Sequence, residues 1–337
     1  MAAQPQRILC LRSGALGDFL VLLPALAAVR ASNPGSVIRL VTRPSYGELA
    51  LSCGLADGFS SIDSAAWAGA FGADGFAPAH RRLLKSFDCV VNCLHDPDGV
   101  VAGHLRAAVT GRLLTIPGRV AFTPAAEHFM APMLEAGLIK ARPETFRLQF
   151  KPPPGLAGLD PSSANRRTCR FPGIHAGLTR GASPSDIEVS RSLRPPVAAL
   201  HPGSGSPKKN WPADRYAALA SDLEQGGEWA PLFIFGDADA AIEDEIKRIA
   251  PESRRLSNLS LIELSAVLSE CAAYVGNDSG VTHLAAGLGL PVVALFGPTD
   301  PAIWKPSGCR VSVIKARPDF GDLTVERVRE TIRTLAL

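Results

Sequence analysis

The sequence predicts an α/β protein made of two doubly wound domains, each a mostly parallel sheet with helices on both faces. Three observations carry this expectation. Short apolar runs alternate with helix-length segments before residue 140 and again after residue 196. In between, the alternation fails in a Pro-, Gly-, Ser- and Arg-rich stretch that includes Pro152-Pro153-Pro154-Gly155. A chain of 337 residues also exceeds one ordinary core of this class. The expected divisions are a first domain at 1–150, a linker or insertion at 151–195, a second domain at 196–325 and a terminal helix at 326–337. A loop as long as the middle segment is either functional or disordered.

In the first domain, residues 8–11 form a short apolar strand and 18–30 a helix, with Pro24 predicting a kink or break. Asn33-Pro34-Gly35 is a turn, 37–41 a second strand, and 46–53 a short helix stopped by Gly54. A further strand at 89–93 leads to a helix near 100–109. In the second domain, strands are expected at 197–200, 231–235, 272–275, 291–296 and 311–314. Helices are expected at 211–223, 240–249, 261–268, 284–288 and 325–335. Asp278 or Ser279 is the N-cap of the helix that carries 284–288.

Composition narrows the function. The net charge is only +3, with no basic stripe, which argues against a nucleic-acid protein. The seven cysteines, at 10, 53, 89, 93, 169, 271 and 309, read as free thiols in a reducing compartment. Cys89 and Cys93 lack the second pair that a zinc site needs, so no metal is expected. No signal peptide is visible, and the longest apolar stretch, 19–29, is about half a membrane span. The expectation is a cytoplasmic protein, with docking on a membrane surface left open.

Four segments lie at the carboxyl ends of predicted strands, where open α/β sheets bind ligands. The first, Arg12-Ser13-Gly14-Ala15-Leu16-Gly17-Asp18, presents a carboxylate at a helix start, either as a cap or as a general base. The second is His201-Pro202-Gly203-Ser204-Gly205, followed by Lys208, Lys209, Asn210, Trp211 and Pro212. Its glycines permit close backbone approach and Lys209 offers a positive charge to phosphate. It lacks a P-loop ending, so ATPase chemistry is not implied. The third, Phe235-Gly236-Asp237-Ala238-Asp239 with Glu243, offers carboxylates for ribose hydroxyls or for helix capping. The fourth, Gly276-Asn277-Asp278-Ser279-Gly280-Val281-Thr282-His283, joins a strand to a helix N-terminus. Unpaired amides there suit a diphosphate, and His283, one turn in, can face the same anion. The segment is not GxSxG, which disfavours a hydrolase, and the first loop is not GxGxxG, which disfavours a dinucleotide.

Together these motifs resemble glycosyltransferase family 9, the lipopolysaccharide heptosyltransferases. The matching pieces are Gly17-Asp18 with Pro24-Ala25-Leu26, the His201–Pro212 segment, the Asn277–Ala286 segment, and Phe296-Gly297-Pro298-Thr299-Asp300-Pro301 before Trp304. The resemblance runs from about residue 7 to 330. It implies the glycosyltransferase B architecture, two Rossmann-like domains facing a cleft, the first binding the acceptor through Ser13 and Gly14. It implies metal-independent, inverting transfer with no cofactor beyond a nucleoside-diphosphate sugar as co-substrate, ADP-heptose foremost. Asp18 is then the base and Lys209 the partner of the leaving diphosphate. Ser204, Gly205, Asp278, Ser279, Gly280 and His283 hold the donor, and one of Asp237, Asp239 or Glu243 meets ribose. The implied acceptor is a glycolipid such as lipopolysaccharide core, or another saccharide, met at the inner membrane's cytoplasmic face. An epimerase of the same architecture and a non-catalytic nucleotide-sugar-binding protein are the rival readings. No family motif is matched within 152–194.

Overall fold

Two all-parallel sheets organise the chain in a computed structural model that describes residues 6–121, 123–156 and 195–336. The chain divides into two compact units. One comprises Met1–Lys151 with Ala302–Ser307, the other Pro152–Pro301 with Gly308–Leu337. Most of the expected linker, 157–194, lies outside the described residues, and so does Cys169.

In the first unit the strands are β1 (Arg7–Leu11), β2 (Val37–Thr42), β3 (Gly58–Ser61), β4 (Cys89–Asn92) and β5 (Arg112–Thr115). Their order is β3-β2-β1-β4-β5, so the chain reverses direction across the sheet between β1 and β4. Leu11 of β1 is level with Val41 of β2 and with Asn92 of β4. The three inner strands are apolar because helices cover both faces of a parallel sheet. The helix expected at 18–30, with a kink or break at Pro24, is broken into α1 (Leu16–Leu20) and α2 (Leu23–Ser32). Pro24 stands in the first turn of α2, where a missing N–H costs nothing. The remaining helices are α3 (Pro44–Ser52), α4 (Ala65–Ala68), α5 (Pro78–Leu84), α6 (Val100–Ala108) and α7 (Ala125–Glu135). Gly54 follows α3 with φ +67°, as a left-handed stop requires.

The second unit has six strands: β6 (Val197–His201), β7 (Ala230–Phe235), β8 (Arg255–Ser257), β9 (Ala273–Asn277), β10 (Val292–Phe296) and β11 (Val311–Lys315). Their order is β11-β10-β9-β6-β7-β8, with the reversal between β6 and β9. Both units are thus Rossmann-like. The helices are α8 (Ala213–Gln225), α9 (Ala240–Ile249), α10 (Leu261–Ser269), α11 (Gly280–Leu288), α12 (Pro301–Trp304) and α13 (Val325–Ala336). The core of this unit joins Leu200, Trp211, Tyr216, Phe233, Val275 and Leu295 with Val328 and Ile332 of the terminal helix, all buried. That helix, expected as a separate piece, is part of the second unit. No helix among the described residues is long and apolar enough to cross a membrane. The described cysteines are free, five of them buried and Cys309 exposed.

Candidate functional site

Ligands of doubly wound sheets sit beyond the carboxyl ends of the strands, where the strand order reverses. In the second unit that place lies between β6 and β9, whose ends carry His201 and Asn277. Two of the four segments singled out above therefore lie side by side.

Asn277 ties them together. Its buried Oδ1 accepts from the Trp211 backbone N–H at 3.0 Å and from the Tyr216 hydroxyl at 3.2 Å. Its Nδ2 donates to the Pro202 carbonyl at 2.8 Å. A fully buried amide making three such bonds fixes the 202–211 loop against the end of β9.

Ser279 is the N-cap of α11. Its Oγ accepts from the Thr282 N–H at 3.4 Å, and it also lies 3.1 Å from Thr282 Oγ1 and 3.4 Å from His201 Nδ1. The far side of the His201 ring is held by Asp239, whose Oδ2 is 3.1 Å from Nε2. The same Asp239 oxygen accepts from the Gly236 N–H at 2.7 Å. Burial opposes ionisation of Asp239, but the His201 and Gly236 donors outweigh it and hold the carboxyl below its usual range. Burial pushes the Tyr274 phenol up, so its O–H stays a donor, 3.1 Å from Thr282 Oγ1. Thr282 in turn donates to the Asn277 carbonyl. With Thr282 capped and the His283 N–H on the Ser279 carbonyl at 3.3 Å, the Gly280 and Val281 amides have no partner among the described residues. These two are the donors that the helix end presents to an anion.

Around that end stand the other predicted residues. Lys209, in the short 3₁₀ turn Pro207–Lys209, places Nζ 2.8 Å from Oδ2 of buried Asp278. The lysine is 31% exposed, so its ammonium is held by a carboxylate yet still open to solvent. Ser204 turns back on its own loop, with Oγ 2.6 Å from Asn210 Oδ1 and 2.7 Å from the Ser206 carbonyl. A Cβ built on Gly205 meets nothing within 4 Å, which leaves open space above the backbone there. At Gly203 a Cβ would lie 1.9 Å from Asp239 Oδ1, so only glycine fits over that carboxylate. His283 is buried on the first turn of α11.

The three carboxylates named for ribose divide. Asp239 is a correction to the expected role: it is buried beneath Gly203 and its polar contacts point inward to His201 and Gly236. Glu243 is likewise buried, 2.7 Å from Ser257 Oγ and 2.9 Å from Lys247 Nζ. Asp237 alone remains exposed. Three bracing features of this region were underrated in the sequence: His201, Asn277 and the pairing of Asp239. A histidine and an asparagine at the ends of apolar strands were the available signal.

In the first unit the corresponding place, beyond β1 and β4, carries Asp18. Its Oδ2 accepts from the Ala15 N–H at 3.1 Å, so it caps α1 from the third position. Its Oδ1 lies 3.7 Å from Arg12 Nη2, and the side chain remains 40% exposed. Gly14 has φ +117°, and a Cβ there would come within 2.9 Å of Asp18 Oδ2. The Gly14 carbonyl accepts from the Tyr46 hydroxyl at 3.3 Å, and Ser13 beside it is half-buried. Arg12 is buried, donating to the carbonyls of Asp18, Cys93 and Gly118 at 2.9, 2.9 and 2.6 Å. Its guanidinium lies 4.8 Å from the centre of the Phe129 ring. Burial lowers the Arg12 pKa, while Asp18 favours its charged form. Among the described residues no three His, Cys, Asp or Glu side chains gather as ligands for a metal.

Comparison with known proteins shows what this chain is similar to. Residues 166–326 match the model of glycosyltransferase family 9 (heptosyltransferase). The match begins inside the segment where the sequence had offered no motif. Lipooligosaccharide heptosyltransferase 2 of Haemophilus influenzae is 34% identical over 128 residues, 36% of this chain and 36% of that protein. The chain thus spans only about a third of that relative's length in the match. Likeness of fold is wider. A glycosyl transferase family 9 structure from Veillonella parvula superposes with a TM-score of 0.71 at 18% identity, covering 100% of this chain and 98% of that one. E. coli heptosyltransferase WaaC with ADP gives 0.69 at 18% identity, covering 98% and 99%. Residues 166–326 are therefore similar to a glycosyltransferase family 9 domain, and the chain shares the fold of these solved structures.

Proposed function

We propose that this chain is an inverting heptosyltransferase. It would move heptose from ADP-heptose to a hydroxyl of lipopolysaccharide core, without a metal ion. The observation that carries the reading is the pair of open amides, Gly280 and Val281, at the strand-order reversal of a family 9 domain. An E. coli relative of the same fold was solved with ADP. The chemistry follows from the groups present. Asp18 takes the proton of the acceptor hydroxyl as that oxygen attacks the anomeric carbon. The bond from the anomeric carbon to the phosphate oxygen breaks, and ADP leaves with its electron pair. The amides of α11, His283 and the Lys209 ammonium stabilise the charge that develops on the diphosphate. One displacement inverts the anomeric centre. Ser13 and Gly14 lie beside Asp18 in sequence and line the acceptor's approach, and exposed Asp237 is the ribose partner that remains. The acceptor is a glycolipid, so the protein works at a membrane surface.

Incubation of the full chain with ADP-heptose and heptose-deficient lipopolysaccharide tests this. Transfer of heptose with release of ADP is the expected result. ADP should raise the melting temperature more than UDP or GDP, since a ligand bound only by the native state stabilises it. Absence of transfer, with no stabilisation by any nucleoside diphosphate, rejects the reading.

A further inference from the structure

We infer that Arg12 is a positioning residue for Asp18, acting through both the backbone and the carboxylate of that residue. The inference rests on the reading of Asp18 as the base and names what aims it.

Asp18 stands on α1, a helix of only five residues. So short a helix cannot fix its own direction, and its orientation has to come from contacts outside it. The regular helical donor for the Asp18 carbonyl would be the N–H four residues on, but the Leu22 N–H goes to the Phe19 carbonyl at 3.1 Å instead. Arg12 takes the carbonyl so released, with Nε 2.9 Å from it. The same guanidinium donates through Nη1 to the Cys93 carbonyl at 2.9 Å, just beyond β4, and to the Gly118 carbonyl at 2.6 Å, beyond β5. The backbone N–H of Arg12 is on the Val41 carbonyl of β2 at 2.9 Å. One side chain therefore fixes the backbone of Asp18 relative to the ends of β1, β4 and β5.

A brace between loops would need only Nε and Nη1. Nη2 is left over. It is buried, has no hydrogen-bond partner among the described residues, and lies 3.7 Å from Asp18 Oδ1. The other carboxylate oxygen, Oδ2, accepts from the Ala15 N–H. A cation on one oxygen and a backbone donor on the other set the direction of the carboxylate, while its side chain stays 40% exposed. The Phe129 ring, 4.8 Å from the guanidinium carbon, holds the fork from its face. A lysine offers its donors from one point and cannot reproduce this planar fork.

Arg12→Lys tests the inference, with turnover counted per ADP-binding site so that unfolded protein does not enter. Turnover should fall about 10- to 100-fold, the scale of a base displaced by about 1 Å. ADP affinity and the KM for the donor should not change, since neither depends on Asp18. In an Asp18→Asn background the same change at 12 should cost no further turnover, because no base is left to aim. Phe129→Leu keeps the core apolar but removes the ring from the guanidinium, and it should give a smaller loss of turnover with the same split. This second variant carries the test where Arg12→Lys does not fold. Wild-type turnover in either folded variant overturns the inference. So does an equal loss in the wild-type and Asp18→Asn backgrounds, which would mark Arg12 as a brace of the unit alone. Full turnover in Asp18→Asn by itself overturns the reading of the base, which is a separate result.

Discussion

The two units use the same place in the same topology in opposite ways. In the second unit, polar side chains at the strand-order reversal are tied to one another: Asn277 to the 202–211 loop, His201 to Asp239, Lys209 to Asp278. What they leave open is the backbone of α11's first turn and the half-exposed Lys209. In the first unit, buried Arg12 is tied to three carbonyls, and one carboxylate, Asp18, held by the Ala15 N–H and facing Arg12, stays 40% exposed. Under the proposed function, the contrast follows from the chemistry each task needs. Binding a diphosphate needs fixed donors that do not reorganise, whereas taking a proton needs a side chain that solvent and substrate can reach.

The comparison can be broken most sharply at Asp18. Asp18→Asn keeps an oxygen for the Ala15 N–H but loses the base, so turnover should fall about 10²- to 10⁴-fold while melting temperature and ADP affinity barely move. Unchanged turnover in a transfer assay would show that the exposed carboxylate is only a cap. Asn277→Ala should do the reverse. It strands the Trp211 N–H and the Pro202 carbonyl, while the Tyr216 hydroxyl keeps the His201 carbonyl, and should cost about 2 kcal/mol or more of stability, read by urea denaturation. A loss under about 1 kcal/mol would mean that the brace is dispensable. Gly205→Ala sharpens the contrast further. The added methyl meets no protein atom within 4 Å, so folding should be untouched while ADP binding weakens about tenfold. Wild-type affinity by titration calorimetry would mean that the diphosphate approaches elsewhere.

The smallest expected effect is in pH. The Asp239 carboxyl lies below its usual range, so the native state binds this proton less readily than the unfolded chain. Its stabilisation is fully present above the unfolded value of about 4 and is lost as pH falls through the native value. The melting-temperature gap between wild type and Asp239→Asn should be flat from neutral pH to about 5 and shrink below about 4. A gap that widens on acidification contradicts the sign.

Legibility in the sequence followed position in the sheet. The inner strands β1, β2, β4, β6, β7, β9 and β10 were all foreseen, because strands buried on both faces must be apolar throughout. Of the edge strands only β11, with Val311, Val313 and Ile314, was foreseen; in β3, β5 and β8, Gly58-Phe59-Ser60-Ser61, Arg112-Leu113-Leu114-Thr115 and Arg255-Leu256-Ser257 are short and half polar. Helices α4, α5 and α7 escaped as well, the first two for brevity and α7 because Pro132 interrupts it. The capping choice between Asp278 and Ser279 needed the structure, which gives the cap to Ser279 and the lysine to Asp278.

By itself the sequence determined the α/β class, the doubling of the doubly wound unit and the segments at the strand ends. Those properties are written in local periodicity and in turn chemistry. Only the tertiary structure decided which polar groups face inward. Asp237, Asp239 and Glu243 look alike along the chain, yet one is exposed, one braces His201 and one meets Ser257 and Lys247. The physical reason is that a carboxylate's role depends on which donors lie within about 3 Å of it. The donor that sets Asp239 apart comes from far away in the chain, 38 positions off at His201.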